Sequence, residues 1–317
     1  MKPHGGVKKP ISIIGSHKTK SAIELTANVI FFICAVVAIL AVLAITVYMI
    51  YSGAPALFKV GILDILFGTE WAPTATDPKF GILYIILTSI IATTLAILIG
   101  VPIALMTAIF LSEISNKKLA HIVKPAVELL AGIPSVVYGL LGILMVNPVI
   151  YKLEQFIFKN DPDHQFTGGA NLLSAVIVLA IMILPTVINI SESSLRAVPQ
   201  QYRNSSLALG ASKIQTIFKV TVPAAKSGII TGVVLGIGRA LGEAMAIVLV
   251  CGNSVNLPLP FNSVRTLTTA IVSEMGYAGG LHREVLFTIG LVLFAFIMII
   301  NIILSAILKK GGSKDDN

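Results

Sequence analysis

The sequence predicts an all-α integral membrane protein with six transmembrane helices, and three observations carry that prediction. Of 317 residues, 56% are hydrophobic and only 12% charged, with a mean hydropathy of +0.92. A soluble domain averages about 25% charged residues. The apolar residues gather into six runs that match or exceed the roughly 20 a helix needs to cross a bilayer. Between those runs the basic residues are unevenly shared, as they are in polytopic membrane proteins. The formal net charge of +8 therefore calls for no nucleic acid.

The elements follow in chain order. Residues 1–23 form a polar tail with five lysines. Residues 26–51 are the first span, too long for a signal-peptide core of about 7–15 apolar residues, and so a retained anchor. Residues 52–80, with Trp71, Pro73 and Pro78, read as an exported loop containing some helix. Residues 81–111 are the second span, where Gly100 and Pro102 suggest a kink. A short basic stretch, 112–124, leads to the third span, 126–150, interrupted by Gly132-Ile133-Pro134-Ser135. Residues 151–171 are a second exported loop, and 172–190 are the fourth span, with Pro185 inside it. A polar loop covers 192–226. The fifth span, 227–250, carries Arg239 and Glu243 in its middle. Residues 251–284 are polar, with a turn at Pro258 and Pro260, and 285–308 are the sixth span before a charged tail.

The domain organisation is thus a cytoplasmic tail (1–23), a first span with its exported loop (24–80), a membrane domain (81–308) containing the loop 192–226, and a cytoplasmic tail (309–317). Sixteen of the 23 lysines and arginines fall in the two tails and the loops on their side, six fall in the opposite loops, and Arg239 lies inside a span. The positive-inside rule then places both termini in the cytoplasm. Cys34 and Cys251 lie in apolar runs and read as small buried hydrophobes, not a disulfide framework.

Two stretches carry chemistry. In the loop 192–226, Pro199 can open a helix, Gly210 can end it, and Ser212 can cap a second helix that runs through Val220 and closes at Pro223. Leu207, Leu209, Ile214, Ile217 and Phe218 give this helix–turn–helix more apolar surface than a solvated loop needs. Those side chains either dock into another protein's groove or pack on the chain's own spans. In the fifth span, Arg239 and Glu243 are four apart and share a helix face. A charge at mid-bilayer costs roughly 2.5–3.5 kcal/mol on insertion scales, so such residues face a bundle interior or a wet path. They are either a self-neutralising pair or the lining of a substrate path, where the guanidinium offers a planar fork of donors. Gly236, Gly238 and Gly242 leave backbone open beside them. Pro134 and Ser135 either kink the third span or open backbone groups toward a path. Tyr138 reads as packing. Glu128 with Lys124, and Glu192 with Arg196, read as interfacial pairs. His121 and His164 have no second ligand at metal spacing.

The run Asn204-Ser205-Ser206-Leu207-Ala208-Leu209-Gly210, then nine residues, then Val220-Thr221-Val222-Pro223, resembles the ATPase-coupling motif of ABC-transporter permeases. It keeps the glycine, the spacing and the proline, and departs from Glu-Ala-Ala at its first three places. Glu128-Leu129-Leu130-Ala131-Gly132-Ile133-Pro134-Ser135-Val136-Val137-Tyr138-Gly139 and Gly238-Arg239-Ala240-Leu241-Gly242-Glu243-Ala244-Met245 resemble the phosphate-specific branch. Thr266-Leu267-Thr268-Thr269, followed by Glu274-Met275-Gly276, resembles its C-type (PstC-like) subunits. The resemblance covers about 81–308. It implies a MetI-like type I permease bundle in a bacterial plasma membrane, with Arg239, Glu243, Ser135 and Pro134 on the substrate path. It also implies that Asn204, Ser205, Ser206, Gly210 and Pro223 couple to an ATPase. The implied partners are a second, PstA-like permease, two copies of a PstB-like ATPase holding the ATP and magnesium, and an extracytoplasmic PstS-like phosphate-binding protein. The chain itself has no G-x-x-x-x-G-K-[ST], no H-E-x-x-H and no G-x-S-x-G, so it is expected to be a transporter subunit without an enzymatic site or cofactor of its own. Two alternatives are a permease of the same family for molybdate or sulfate, and a stand-alone channel or ion-driven transporter.

Overall fold

The computed structural model describes the backbone of residues 17–312 and nearly all side chains from Glu24 to Ile303. The first sixteen and last five residues, which contain much of both expected tails, lie outside the described residues. The chain divides between Tyr51 and Ser52 into two units. The described side chains of the first unit belong to helix α1 (His17–Lys59), and none from Glu24 to Tyr51 is buried. Phe31 and Phe32 are among its exposed residues, as a helix standing in lipid requires. Cys34 is exposed here and is not the buried hydrophobe expected, whereas Cys251 is buried, and both are free.

The second unit builds the bundle. After α1 come α2 (Ile62–Phe67) and the paired strands β1 (Trp71–Ala72) and β2 (Lys79–Phe80), with Trp71 opposite Phe80. The second span is α3 (Leu83–Ile109), which stays helical through Pro102 and ends in a wider π-type turn, Phe110–Ile114. Then follow α4 (Lys117–Gly132), α5 (Ser135–Leu141), α6 (Asn147–Ile157) and α7 (Leu172–Ala197). The loop 192–226 holds α8 (Gln200–Ala208), α9 (Lys213–Thr216) and α10 (Val222–Ala224). The last elements are α11 (Lys226–Gly242), α12 (Met245–Val250), α13 (Leu267–Glu274) and α14 (Gly280–Gly312).

Among the described residues, five helical stretches are long and apolar enough to span, namely Glu24–Lys59, Leu83–Ile114, Ser135–Ile157, Leu172–Ala197 and Gly280–Ile303. A sixth span requires the pair Lys213–Ala224 and Lys226–Gly242, which meet at 69°. The third span is therefore displaced from the expected 126–150, and α4 is a separate helix. Pro134 causes the change: it has no N–H to donate and drives the residue before it out of the helical region. Ile133 accordingly sits at φ −68°, ψ 128°.

Helix α7 is the hub. Asn171 caps it by accepting from the Ser174 N–H at 3.2 Å, and its buried face meets α3 and α11. Gly228, Gly232, Gly236 and Ala240 recur every four residues, so they line one face of α11. A methyl added at Gly228 would lie 2.0 Å from the Ser194 hydroxyl, and one at Gly236 2.8 Å from Val187. This stripe of small residues is what lets the α11 backbone press onto α7.

At the end of the bundle expected to face outward, Ala56, Ile65, Phe80, Ile85, Leu267 and Leu286 form a separate apolar cluster. Beside it the buried Glu274 carboxylate gathers Arg265, the Trp71 indole N–H at 3.2 Å and His282 Nε2 at 2.7 Å. The expected polar stretch 251–284 is irregular only as far as Thr266. Its second half holds α13, whose residues Leu267–Ala270 are all buried.

Candidate functional site

The third span breaks where α4 stops. A helix end leaves carbonyls without partners. Leu130 O accepts the Ile133 N–H at 3.3 Å and, across the break, the buried Tyr138 hydroxyl at 2.8 Å. Tyr138 is thus a clamp on the break as well as packing. Pro134 is exposed and Ser135 half-buried. Four residues on, a methyl on Gly139 would sit 3.0 Å from Ala246 Cα, so α5 and α12 lie backbone against backbone.

The fifth span breaks beside it. Glu243 is not on the face of α11, contrary to the sequence expectation: it follows the last helical residue, at φ −73°, ψ 126°. Its carboxylate accepts the Ala246 N–H at 3.0 Å and caps α12. Its carbonyl accepts the Thr268 hydroxyl of α13 at 2.7 Å. Those two bonds replace the helical bonds lost by unwinding, and they are why a run apolar enough to stay helical does not. Arg239 is half-buried near the end of α11, and among the described residues no hydrogen bond or ion pair uses it. Tyr138, Ala246 and Ala240, the residue after Arg239, belong to one buried cluster, so both breaks and the guanidinium share one locality. Gly236 is consumed by packing, whereas Gly238 and Gly242 face open space. The locality thus offers a free fork of donors beside unwound backbone, which suits a multi-oxygen anion.

The loop 192–226 folds largely as its residues dictate. Pro199 precedes α8, and Gly210 turns the chain at φ +85°, a conformation other residues adopt at a cost. Ser212 caps α9 reciprocally with Gln215, at 3.2 and 2.9 Å. Pro223 does not close the second helix as expected. It sits inside α10, where its missing N–H costs nothing in a first turn, and the bend follows at Ala225. Ser206 bonds Thr216 at 2.9 Å and ties the two arms together, while Asn204 and Ser205 are exposed. Of the five apolar residues only Ile217 is buried. Leu207, Ile214 and Phe218 are exposed, and Leu209 is 89% exposed.

Arg203 anchors this loop. Its fork reaches Glu113 at 2.6 and 3.2 Å, and it also donates to Val198 O at 2.6 Å and Leu195 O at 2.8 Å. The pair is nearly buried, at 13% and 8% exposure. Sequence reasoning missed it because ninety residues separate the partners and neither lies in a motif. Lys124 pairs with Glu192 at 3.1 Å and not with the exposed Glu128, while Glu192 also holds Arg196 as expected. His164, to which the sequence assigns nothing, bonds the fully buried Glu154 at 3.0 Å.

Broken spans beside a charge that has no partner among the described residues, joined to a loop with an exposed apolar face, fit a membrane subunit of a transporter. The chain belongs to the family of binding-protein-dependent transport system inner membrane components, whose sequence profile matches residues 100–310. A probable ABC transporter permease, YqgH of Bacillus subtilis, is 39% identical over 91% of this chain and 93% of its own length. The phosphate transport system permease PstC of Xylella fastidiosa is 34% identical, covering 92% of this chain and 91% of its own. Among solved structures, a chain of a bacterial alginate ABC importer overlays with a TM-score of 0.64 at 16% identity, covering 92% of this chain and 99% of that one. That likeness establishes the fold, a MetI-like permease bundle.

Proposed function

We propose that this chain is the C-type permease subunit of an ATP-driven phosphate importer in a bacterial plasma membrane, with both termini in the cytoplasm. The observation that carries the substrate assignment is Arg239, a guanidinium near the break of the fifth span with no hydrogen bond or ion pair among the described residues. Phosphate offers the multiple oxygens that a planar fork binds best. The phosphate permeases to which the chain is 33–34% identical support the same reading. Pro134 and Ser135 would present backbone groups to the anion, and Glu243 would hold the fifth span open beside it. The exposed α11 stripe of Leu235, Gly238 and Gly242 fits a second, PstA-like permease that completes the path. The loop 192–226 would dock its exposed Leu209, Ile214 and Phe218 on a PstB-like ATPase, with Asn204, Ser205, Ser206, Gly210 and Pro223 shaping that surface. ATP and magnesium belong to the ATPase, and a PstS-like binding protein would deliver phosphate outside. The organisation into tail (1–23), first span and loop (24–80), permease domain (81–308) and tail (309–317) belongs to this proposal.

Membership of a binding-protein-dependent family argues against a stand-alone channel. The test is uptake into proteoliposomes holding both permeases, the ATPase and the binding protein. The proposal expects ATP-dependent phosphate accumulation that excess molybdate and sulfate leave unchanged. Uptake without ATP, or equal competition by either oxyanion, would refute it.

A further inference from the structure

At the end of the bundle proposed to face the cytoplasm, three helices leave a cavity of about 460 Å³. Its walls are Leu111, Ser112 and Ser115 after α3, Ala120, His121 and Lys124 on α4, and Arg196 at the end of α7. That volume lies in the range of small-ligand sites. Its charge is unbalanced. Lys124 and Arg196 both bond one carboxylate, Glu192, which is 2% exposed while the two cations remain 40% and 49% exposed. One negative charge thus holds two positive ones. Arg196 donates through Nε to Glu192 and through Nη2 to Leu111 O at 3.4 Å, and no bond of its Nη1 is among the described interactions. The lysine has further N–H donors beyond its single bond at 3.1 Å. His121 is exposed on the wall, and the Ser112 and Ser115 hydroxyls donate to backbone carbonyls at 3.4 and 3.0 Å, which leaves their oxygens able to accept.

We propose that this cavity binds a phosphate-bearing ligand on the cytoplasmic side, separate from the translocation path. A tetrahedral phosphate accepts from a guanidinium edge, an ammonium and an imidazole at once, and it supplies the counter-charge that Glu192 leaves missing. The same chemistry arises from the phosphodiester of an anionic lipid or from free phosphate. The cavity sits where α3 and α7 end, at the level where basic pockets between spans take lipid head groups. Because α7 packs on both α3 and α11, occupancy here bears on the helix that carries the bundle.

The full-length chain, purified and stripped of lipid in detergent, tests this. Phosphatidylglycerol, phosphatidylcholine and inorganic phosphate are titrated separately, with retained lipid counted by native mass spectrometry and melting temperature read in parallel. Lys124→Gln removes a cation. His121→Glu reverses the local charge without touching the Glu192 bonds, so it remains informative if the first variant folds poorly. The expected result is saturable phosphatidylglycerol binding that raises the melting temperature, is not matched by phosphatidylcholine, and weakens about fivefold per lost basic group. Displacement of that lipid by millimolar inorganic phosphate would instead assign the cavity to free phosphate. Equal binding of both lipids with no phosphate effect, or phosphatidylglycerol binding unchanged in both variants, would overturn the proposal. So would variants that lose only their hold on the partner ATPase.

Discussion

Arg203 and Arg239 are the same side chain in opposite circumstances. Arg203 spends its fork on Glu113 and two backbone carbonyls, nearly out of water. Arg239 lies in a span, where a charge is most costly, and has no such bond among the described residues. An arginine with four of its five N–H donors bonded is a rivet, and its loss is read in stability. Under the proposed function the partner of Arg239 is the passing anion, and its loss would be read in transport. The comparison also separates two kinds of motion. Under the proposed function the loop would have to be stiff to transmit a push from its docking surface to α3, whereas the broken spans would have to be free to reshape.

The largest expected effect on stability is at the rivet. Arg203→Ala leaves Glu113 buried and unpaired, which typically costs about 3–5 kcal/mol. The melting temperature in detergent should fall sharply, and Arg203→Lys should recover only part because it lacks the fork. A melting temperature unchanged in Arg203→Ala would place the rigid element elsewhere.

Gly210→Val comes next, at about 1–3 kcal/mol of local strain from a β-branched residue at positive φ. A methyl there would meet no neighbour within 4 Å, so the penalty is conformational and not steric. The variant should insert normally yet fail to retain the ATPase on purification. Full ATPase retention would disconnect the turn from docking.

Thr268→Val deletes the bond that holds the Glu243 carbonyl, worth about 0.5–1.5 kcal/mol net. The expected outcome is a small drop in melting temperature with a larger loss of uptake, because the break in the fifth span loses its outer support. A loss confined to melting temperature would make Thr268 merely structural. The smallest effect on stability belongs to Leu209→Ser. At 89% exposure the change should stay within about ±0.5 kcal/mol. ATPase affinity should nevertheless fall in a pull-down, and unchanged affinity would remove Leu209 from the docking face.

What was legible in the sequence was local. Apolar run length located the membrane segments, and Pro134, Gly210 and Ser212 fixed a break, a turn and a cap through rules that act within a few residues. Ile133, beside Pro134, and Ala240, beside Arg239, do pack on one buried cluster. What was not legible required the third dimension. Spacing put Glu243 beside Arg239 on a helix, but the Thr268 hydroxyl, 25 residues on, draws its carbonyl out of that helix. Glu128 was the sequence neighbour of Lys124, but Glu192, 68 residues away, is its partner. The capping box Thr266-x-x-Thr269 was readable as a helix start and would have flagged α13.

The central claim is that Arg239 serves the anion and not the fold. Its most direct test is ATP-driven phosphate uptake by Arg239→Gln, measured in proteoliposomes beside the melting temperature of the same preparation. The prediction is near-complete loss of uptake at an almost unchanged melting temperature, with or without Glu243→Gln, since the two are not bonded to each other. Uptake close to the unmodified level would contradict the account, and so would a melting-temperature drop as large as that of Arg203→Ala.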